Sequence, residues 1–578
     1  MRFRLPFLGR PSPKPASPST GEPVEPPTPL EVVRAYHLAT RHHEHAFARG
    51  PGYLDWDTQP DPFRRYAGAR LIELDHEGVD GEGVRYPLGF VEGGREPAAV
   101  DRRAVSQLFR DALGLTAWKE FGEARWALRA NPSSGNLHPT EGYFVGGPVE
   151  GLCETPIVAH YAPREHALEL RAELGAGVME ELRTGGASFF VGLTSIHWRE
   201  AWKYGERAYR YCQHDAGHAI AAFAIAAAGL GWNVRLVDHL GHDELVRLLG
   251  LDRPGGGDAE PEEPDVLLAV FAGPVVAAEP VRSIPEALDT VAFAGTPNEL
   301  SPEHAEWEAV EYAGEASRKP STPLQTFVPT HVSAPDASLG EELSLRAILH
   351  QRRSAVAFDR KTSISLDDFC AMLAHTLPAP GRVPFSALPW PARVHLGLFV
   401  HRVTGLEPGL YVLVRDAERT PLLRAAMERP FDWQRPDGVP ETLELYRLSA
   451  GNVQPVARGV SCTQDIASDG AFAVAMLTEY RSVLATEGAW AYPRLHWEAG
   501  AVGQVLYLDA EAAGVRATGI GCFFDEPTQR VFGLGSDAFR TLYHFTVGGP
   551  VDDGRLQTWP AYPPRDRKAA TEEEPKSD

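Results

Sequence analysis

Apolar positions along this chain fall into two kinds of run. Short, nearly continuous runs of strand length occur at 188–194 (SFFVGLT), 266–272, 394–403, 410–413, 471–477 and 542–547. Runs this short, rich in β-branched and aromatic residues, predict buried strands. Two weaker strands are predicted at 70–74 and 142–145. Helical spacing appears at 30–47, 104–113 and 366–373, and over the longer segments 198–232 and 493–513. Between 217 and 230 nearly every residue is Ala, Ile, Phe, Leu or Gly. A helix apolar on every face must be buried, and its small residues let another helix come close.

The two long segments match one another. With an offset of 283 positions, Ala208-Tyr209 falls on Ala491-Tyr492, Asp215-Ala216-Gly217 on Glu498-Ala499-Gly500, and Gly231 on Gly514. The closing runs, 270–274 and 545–550, also agree, and the order of elements is the same in both halves. This is the pattern of a diverged duplication, not of a short-period solenoid. Two buried helices in one chain are most simply accommodated against each other, as an internal pseudo-dimer. The expected organisation is a Pro-rich tail (1–29), a first domain (30–278), an irregular connector (279–342), a second domain (343–563) and a charged tail (564–578).

At 578 residues the chain is long enough for about two to four domains, and 43% of it is hydrophobic. Asp and Glu total 78 against 56 Lys and Arg, a formal charge of -22. That balance argues against a general nucleic-acid or anionic-membrane surface, though not against a local basic pocket. The five cysteines (Cys153, Cys212, Cys370, Cys462, Cys522) form no C-x-x-C pair. Neither a disulfide framework nor a zinc site is expected, and a reducing cytoplasm fits. No apolar run reaches membrane-spanning length. The histidines at 37, 42, 43 and 45 lack the spacing of a metal-binding helix and are expected to be solvated or capping.

The chemistry concentrates in polar loops. Asn131-Pro132-Ser133-Ser134-Gly135-Asn136-Leu137-His138-Pro139 carries two hydroxyls and amide side chains between prolines that hold its shape. Such a loop suits a flat, polar-edged ligand, and read alone it also suits an ordinary turn. Lys203-Tyr204-Gly205 precedes the first long helix, Arg352-Arg353-Ser354 opens the second half, and Gly519-Ile520-Gly521-Cys522-Phe523-Phe524 follows the second long helix.

Taken together these stretches, with Tyr209–His214 and His496–Gly500, resemble the nitroreductase fold in tandem form, and within it the SagB-type (SagB/ThcOx) dehydrogenase group. The resemblance implies an α+β architecture of two nitroreductase-like domains around buried central helices, with FMN at their two-fold interface. Ser133, Ser134 and Asn136 resemble the loop such proteins extend across from one half. Arg352, Ser354 and the loop Gly519, Ile520, Gly521 and Cys522 resemble the grip of the other half, with Arg555 as a second cation. The polar loop is kept only in the first half and the Arg-x-Ser start only in the second, which implies one composite FMN site per chain. Relatives carry a Lys or Arg two residues after the serine, where this chain has Val356. Lys203 and Tyr204 resemble the pair that deprotonates substrate carbon in azoline dehydrogenases, the tyrosine acting as base if its pKa is lowered; the alternative is a solvated lysine beside a core aromatic.

The resemblance thus implies an FMN-dependent oxidoreductase acting on a small-molecule or peptide substrate, with a possible peptide-modifying partner enzyme, as a monomeric pseudo-dimer or a homodimer. An NAD(P)H-dependent nitro or quinone reductase is the alternative within that class. A flavin-free scaffold that binds a partner is the alternative outside it.

Overall fold

The computed structural model describes residues 25–79, 83–182, 185–252, 259–273, 275, 284–323 and 339–562. Residues 1–24 of the expected tail 1–29, the expected tail 564–578, and residues 279–283 and 324–338 of the expected connector lie outside the described residues.

Two antiparallel sheets flank a central pair of helices. The first has seven strands, in the order Arg70–Glu73, Ala167–Glu173, Ile157–Ala162, Thr140–Gly146, Phe189–Ser195, Glu263–Phe271, Asn233–Leu236. The second has six, in the order Leu445–Ala450, Gly409–Leu413, Val394–Val400, Phe472–Glu479, Phe539–Gly548, Arg516–Ile520. Apart from the edge strand Arg70–Glu73, the two orders correspond strand for strand along the chain. Core strands such as Phe189–Ser195 and Val394–Val400 are buried at every position, which is why they read as unbroken apolar runs.

The central helices are Ala208–Gly229 and Ala491–Ala512, twenty-two residues each, and they keep the 283-position offset. Every residue of the first and all but the last two of the second are buried. They meet at Gly217 and Gly500: a Cβ on Gly217 would lie 2.7 Å from the Trp497 Cα, and one on Gly500 2.9 Å from the Gly217 Cα. The absence of side chains at this one level allows the two backbones to touch.

Some expectations fail in informative ways. The predicted helix 30–47 spans only Pro29–Ala39, opened by a Thr28–Glu31 capping box. Beyond Thr40 the chain turns outward, and His42 instead meets the second half, its N–H donating to Asp525. Part of the expected connector is structured: Glu308–Ala316 is a helix that buries Ala309, Val310 and Ala313, and Thr296-Pro297 pairs with Tyr66-Ala67. A third sheet, unforeseen from the sequence, joins the hairpin Leu115–Phe121 and Ala124–Arg129 to the late strand Gln557–Pro560. Among the described residues no helix is long and apolar enough to cross a membrane, and no group of three or more His, Cys, Asp or Glu is placed to hold a metal.

Candidate functional site

One cavity of about 920 Å³ opens on one side of the central helices, and it is walled by both halves. The loop 131–136 forms one wall. Arg352, Ser354 and Gly519–Cys522 form the opposite one, with the hairpin and the segment 551–558 over the mouth. On the other side of the helix pair the opening shrinks to about 60 Å³, beside the buried Arg494–Asp238 ion pair and Trp497. Cavities that hold cofactor-sized ligands run to several hundred Å³, so of these two openings the first has room for one and the second does not.

The loop is shaped by left-handed backbone at Gly135, Asn136 and His138. Gly135 must remain a glycine, because a Cβ there would sit 2.6 Å from the Tyr204 hydroxyl. Ser133 Oγ accepts from His138 N–H, and Asn136 spends its side chain on Ala127 O and the His138 ring. Asn136 therefore holds the loop's shape and offers little to a ligand. Asn131 is different: its Oδ1 is buried on the cavity wall with no hydrogen-bond partner among the described residues. A buried, unsatisfied acceptor on a cavity wall is a place where a ligand N–H gains.

At the opposite end the charges are positive. Arg352 is buried, donates to the backbone carbonyls of Ala130 and Arg129, and lies over the Tyr507 ring. No ion pair neutralises it among the described residues. Arg353, Arg516 and Lys119 line the same end; burial, then Arg353, hold the Lys119 pKa down. Glu511 and Asp552 pair with Arg516 and offset only part of this charge. The arrangement suits an anion. Ser354 shares a hydrogen bond of 3.0 Å with the Tyr507 hydroxyl, which also accepts from Gly519 N–H.

The glycine loop is pressed from behind. Cβ atoms on Gly519 or Gly521 would collide with Tyr543 and Tyr211, both of which line the cavity. Arg207 fixes this arrangement, donating to Gly521 O at 2.9 Å and to the Tyr211 hydroxyl at 3.1 Å. The expected row of free backbone donors is partly spent, since Gly519 N–H goes to Tyr507 and Phe524 N–H to Val460 O.

Three further expectations are corrected. Arg555 stands away from the cavity: its guanidinium is folded back onto Asp553 and its side chain is 74% exposed. Tyr204 lines the cavity, but burial, and after it Glu200, raise its pKa well above the usual value, so the lowered pKa of a tyrosine base is not found. Lys203 lies behind the loop, with its Nζ 3.1 Å from where a Gly135 Cβ would be. Val356 sits at the mouth, 74% exposed.

Asp215 enters the site from the first central helix, and sequence reasoning used it only to align the repeat. Its carboxylate accepts from Ser134 N–H at 3.1 Å and from the Ser134 hydroxyl at 3.0 Å. Burial nevertheless pushes its pKa up to about 7. Glu200 behind it is buried with both oxygens unpartnered among the described residues, and burial, then Asp215, push its pKa well above the usual carboxylate range. Asp215 is thus the cavity group that changes protonation near neutrality.

A stability test follows. A carboxyl whose folded pKa is raised binds its proton more tightly when folded, so stability is highest below the unfolded value near 4 and falls as pH rises toward 7. Asp265, facing the smaller opening, is raised to about 7 as well and adds to the slope. Asp215→Asn keeps the acceptor for Ser134 and is expected to remove at most about 4 kcal/mol of that pH-dependent loss. Urea midpoints measured from pH 4 to 7 should show a flatter profile in the variant. An unchanged slope would mean that Asp215 is ionised in the fold.

Comparison with known proteins supports the nitroreductase-like reading of this fold. Residues 96–260 match the nitroreductase family. No curated protein gave a match. Among solved structures, a putative nitroreductase from Anabaena variabilis is similar over 90% of this chain and 99% of its own, at 20% identity and a TM-score of 0.65. A putative nitroreductase from Ralstonia eutropha (16% identity, 40% of this chain and 97% of its own, TM-score 0.26) and the E. coli microcin synthetase McbBCD complex with truncated pro-MccB17 bound (17% identity, 42% and 92%, TM-score 0.26) are more distant. The match at 96–260 and the likeness over nearly the whole chain give a mixed helix and strand, nitroreductase-like fold.

Proposed function

We propose that the cavity binds FMN and that the chain is an FMN-dependent oxidoreductase: two nitroreductase-like domains, about 30–278 and 343–563, packed as an intrachain pseudo-dimer with one composite site. A single observation carries this reading. The cavity brings Ser133 and Ser134 of one half onto Arg352, Ser354 and Gly519–Cys522 of the other. The residues present fit the group. The uncompensated Arg352, with Arg353, Arg516 and Lys119, suits a phosphate. The unsatisfied Asn131 Oδ1, the Ser134 hydroxyl and the Tyr204, Tyr211 and Tyr543 rings suit a flat heteroaromatic with polar edges.

Bound flavin would supply two-electron chemistry, and the protein supplies orientation and proton handling. Arg352 fixes the anionic end. Arg207 holds Gly521 and Tyr211, and Tyr543 backs Gly519. Tyr204, a neutral phenol by virtue of its burial, is a hydrogen-bond donor and not a base. Asp215, titrating near 7, can take or return a proton at its Oδ atoms. The substrate class we propose is a small molecule or an azoline-bearing peptide oxidised by a SagB-type dehydrogenase in the cytoplasm, delivered where needed by a peptide-modifying partner.

Purified protein should be yellow, and heating should release FMN identifiable by chromatography. Anaerobic bleaching by NADH or NADPH would turn the reading toward a nitro or quinone reductase, whereas bleaching by an azoline peptide alone supports the dehydrogenase. A colourless preparation that takes up no added FMN removes the proposal and leaves the scaffold alternative.

A further inference from the structure

Cys462 and Cys522 are sixty positions apart in sequence, yet their sulfurs lie 2.6 Å from each other. That is inside van der Waals contact, though longer than the roughly 2.05 Å of a covalent S–S bond. Both are free thiols, and both are partly exposed. Cys522 follows the Gly519–Gly521 segment and lines the large cavity. Cys462 follows the helix Gln454–Val460, in a turn where Cys462 and Thr463 both have positive φ, 51° and 59°. Non-glycine residues rarely adopt that conformation, and two in succession are held only where the surroundings enforce them. This turn points the Cys462 thiol at Cys522. On its far side Thr463, Val460 and Phe524 line an open groove of about 510 Å³. The pair therefore stands in the wall between cavity and groove, within reach of small solutes.

The groups around Cys522 favour its thiolate. His42 Nδ1 accepts from Ala48 N–H, which places the neutral ring's proton on Nε2, and the ring acts on the nearby Cys522 thiol. The Cys462 hydrogen bond, then His42 and Arg207, hold the Cys522 pKa below the ordinary thiol range against its burial. The same Cys522 contact raises Cys462. One thiol is thus prepared to attack and the other to remain protonated until it resolves the product.

We propose that Cys462 and Cys522 are a reversible dithiol–disulfide couple that exchanges with low-molecular-weight thiols and disulfides. The Cys522 thiolate attacks one sulfur of a disulfide RSSR, its S–S bond breaks, and RS⁻ leaves to be protonated. Cys462, losing its proton to solvent, then attacks the Cys522 sulfur of the mixed disulfide and expels the second RS⁻. The two cysteines give up two electrons, and one RSSR becomes two RSH. The bond formed ties the loop 521–524 to the turn 461–464, both of which contribute to the cavity wall through Gly521, Cys522 and Gln464.

The test does not depend on flavin. The native full-length protein is equilibrated in reduced and oxidised glutathione at graded ratios, acid-quenched, alkylated, digested and mapped by mass spectrometry. At oxidising ratios the peptides bearing Cys462 and Cys522 should appear as one cross-linked species lighter by two hydrogens, with Cys153, Cys212 and Cys370 alkylated, and excess thiol should reverse the change. In Cys462→Ser, Cys522 should accumulate as a glutathione mixed disulfide, and in neither single variant should the intramolecular cross-link form. The proposal is overturned if both thiols remain alkylatable in oxidised glutathione alone.

Discussion

Arg352→Ala is expected to weaken FMN binding by about 10- to 100-fold, the largest loss from any one side chain in the cavity. A hydrogen bond to a charged group contributes about 1.5–3 kcal/mol, and Arg352 is a buried cation on the cavity wall without an ion pair among the described residues, as is Arg129 beside it. Its desolvation, already incurred in the fold, is what a phosphate dianion would offset. The substitution also orphans Ala130 O and Arg129 O, both of which accept from this guanidinium, so some loss of stability accompanies the loss of affinity. Arg352→Lys separates the two effects: it keeps the charge but cannot reproduce the donor geometry. Arg555→Ala is the matched negative, since Arg555 is exposed and paired with Asp553. Fluorescence titration of the flavin-stripped protein reads all three. Equal affinities for wild type and Arg352→Ala would move the phosphate end elsewhere in the cavity.

The contrast between Arg352 and Arg555 also marks what could be read from the chain. Stretches marked by a local motif were legible as stretches. The loop 131–139, the Arg352-Arg353-Ser354 start and the glycine segment were identifiable separately, and the fold lines one cavity with residues from all three. Roles that depend on a neighbour were not. Arg555 reads as a free cation until Asp553, two residues away, folds it back. Asn136 reads as a ligand donor until Ala127 O and His138 take its side chain. Tyr204 beside Lys203 suggests a lowered pKa, but burial and the carboxyl of Glu200 set the opposite direction. Lys119, Arg516 and Asp215 carry no sequence signal for this site, because each comes from an element whose own pattern is complete without it. The hairpin 115–129 was missed because Lys119, Glu120, Arg125 and Arg129 cut its apolar residues into stretches too short to read as strands. The Cys462–Cys522 contact, across sixty positions, is a product of the tertiary fold alone.

Gly217→Ala should destabilise the protein by more than about 2 kcal/mol, although alanine is the better helix former by about 1 kcal/mol. The added methyl meets backbone, not a movable side chain: the Trp497 Cα at 2.7 Å and carbonyl carbon at 2.8 Å, with the Trp497 oxygen nearer still. Relief requires the two helices to separate along their length, opening a core in which nearly every position is buried. Gly500→Ala should behave alike, since its Cβ would meet Gly217 Cα and His218 N, both at 2.9 Å. Gly459→Ala provides the opposite sign. It lies in the helix Gln454–Val460 with no atom within 4 Å of an added Cβ, so only propensity acts and the variant should gain up to about 1 kcal/mol. Urea midpoints of the three variants test this directly. Because the cavity walls belong to opposite halves, separation at Gly217 should also weaken the proposed FMN binding, whereas Gly459→Ala should leave it unchanged. If Gly217→Ala were neutral, the helices would not touch at this level, and the contact that brings Ser133 toward Arg352 would have to be sought elsewhere.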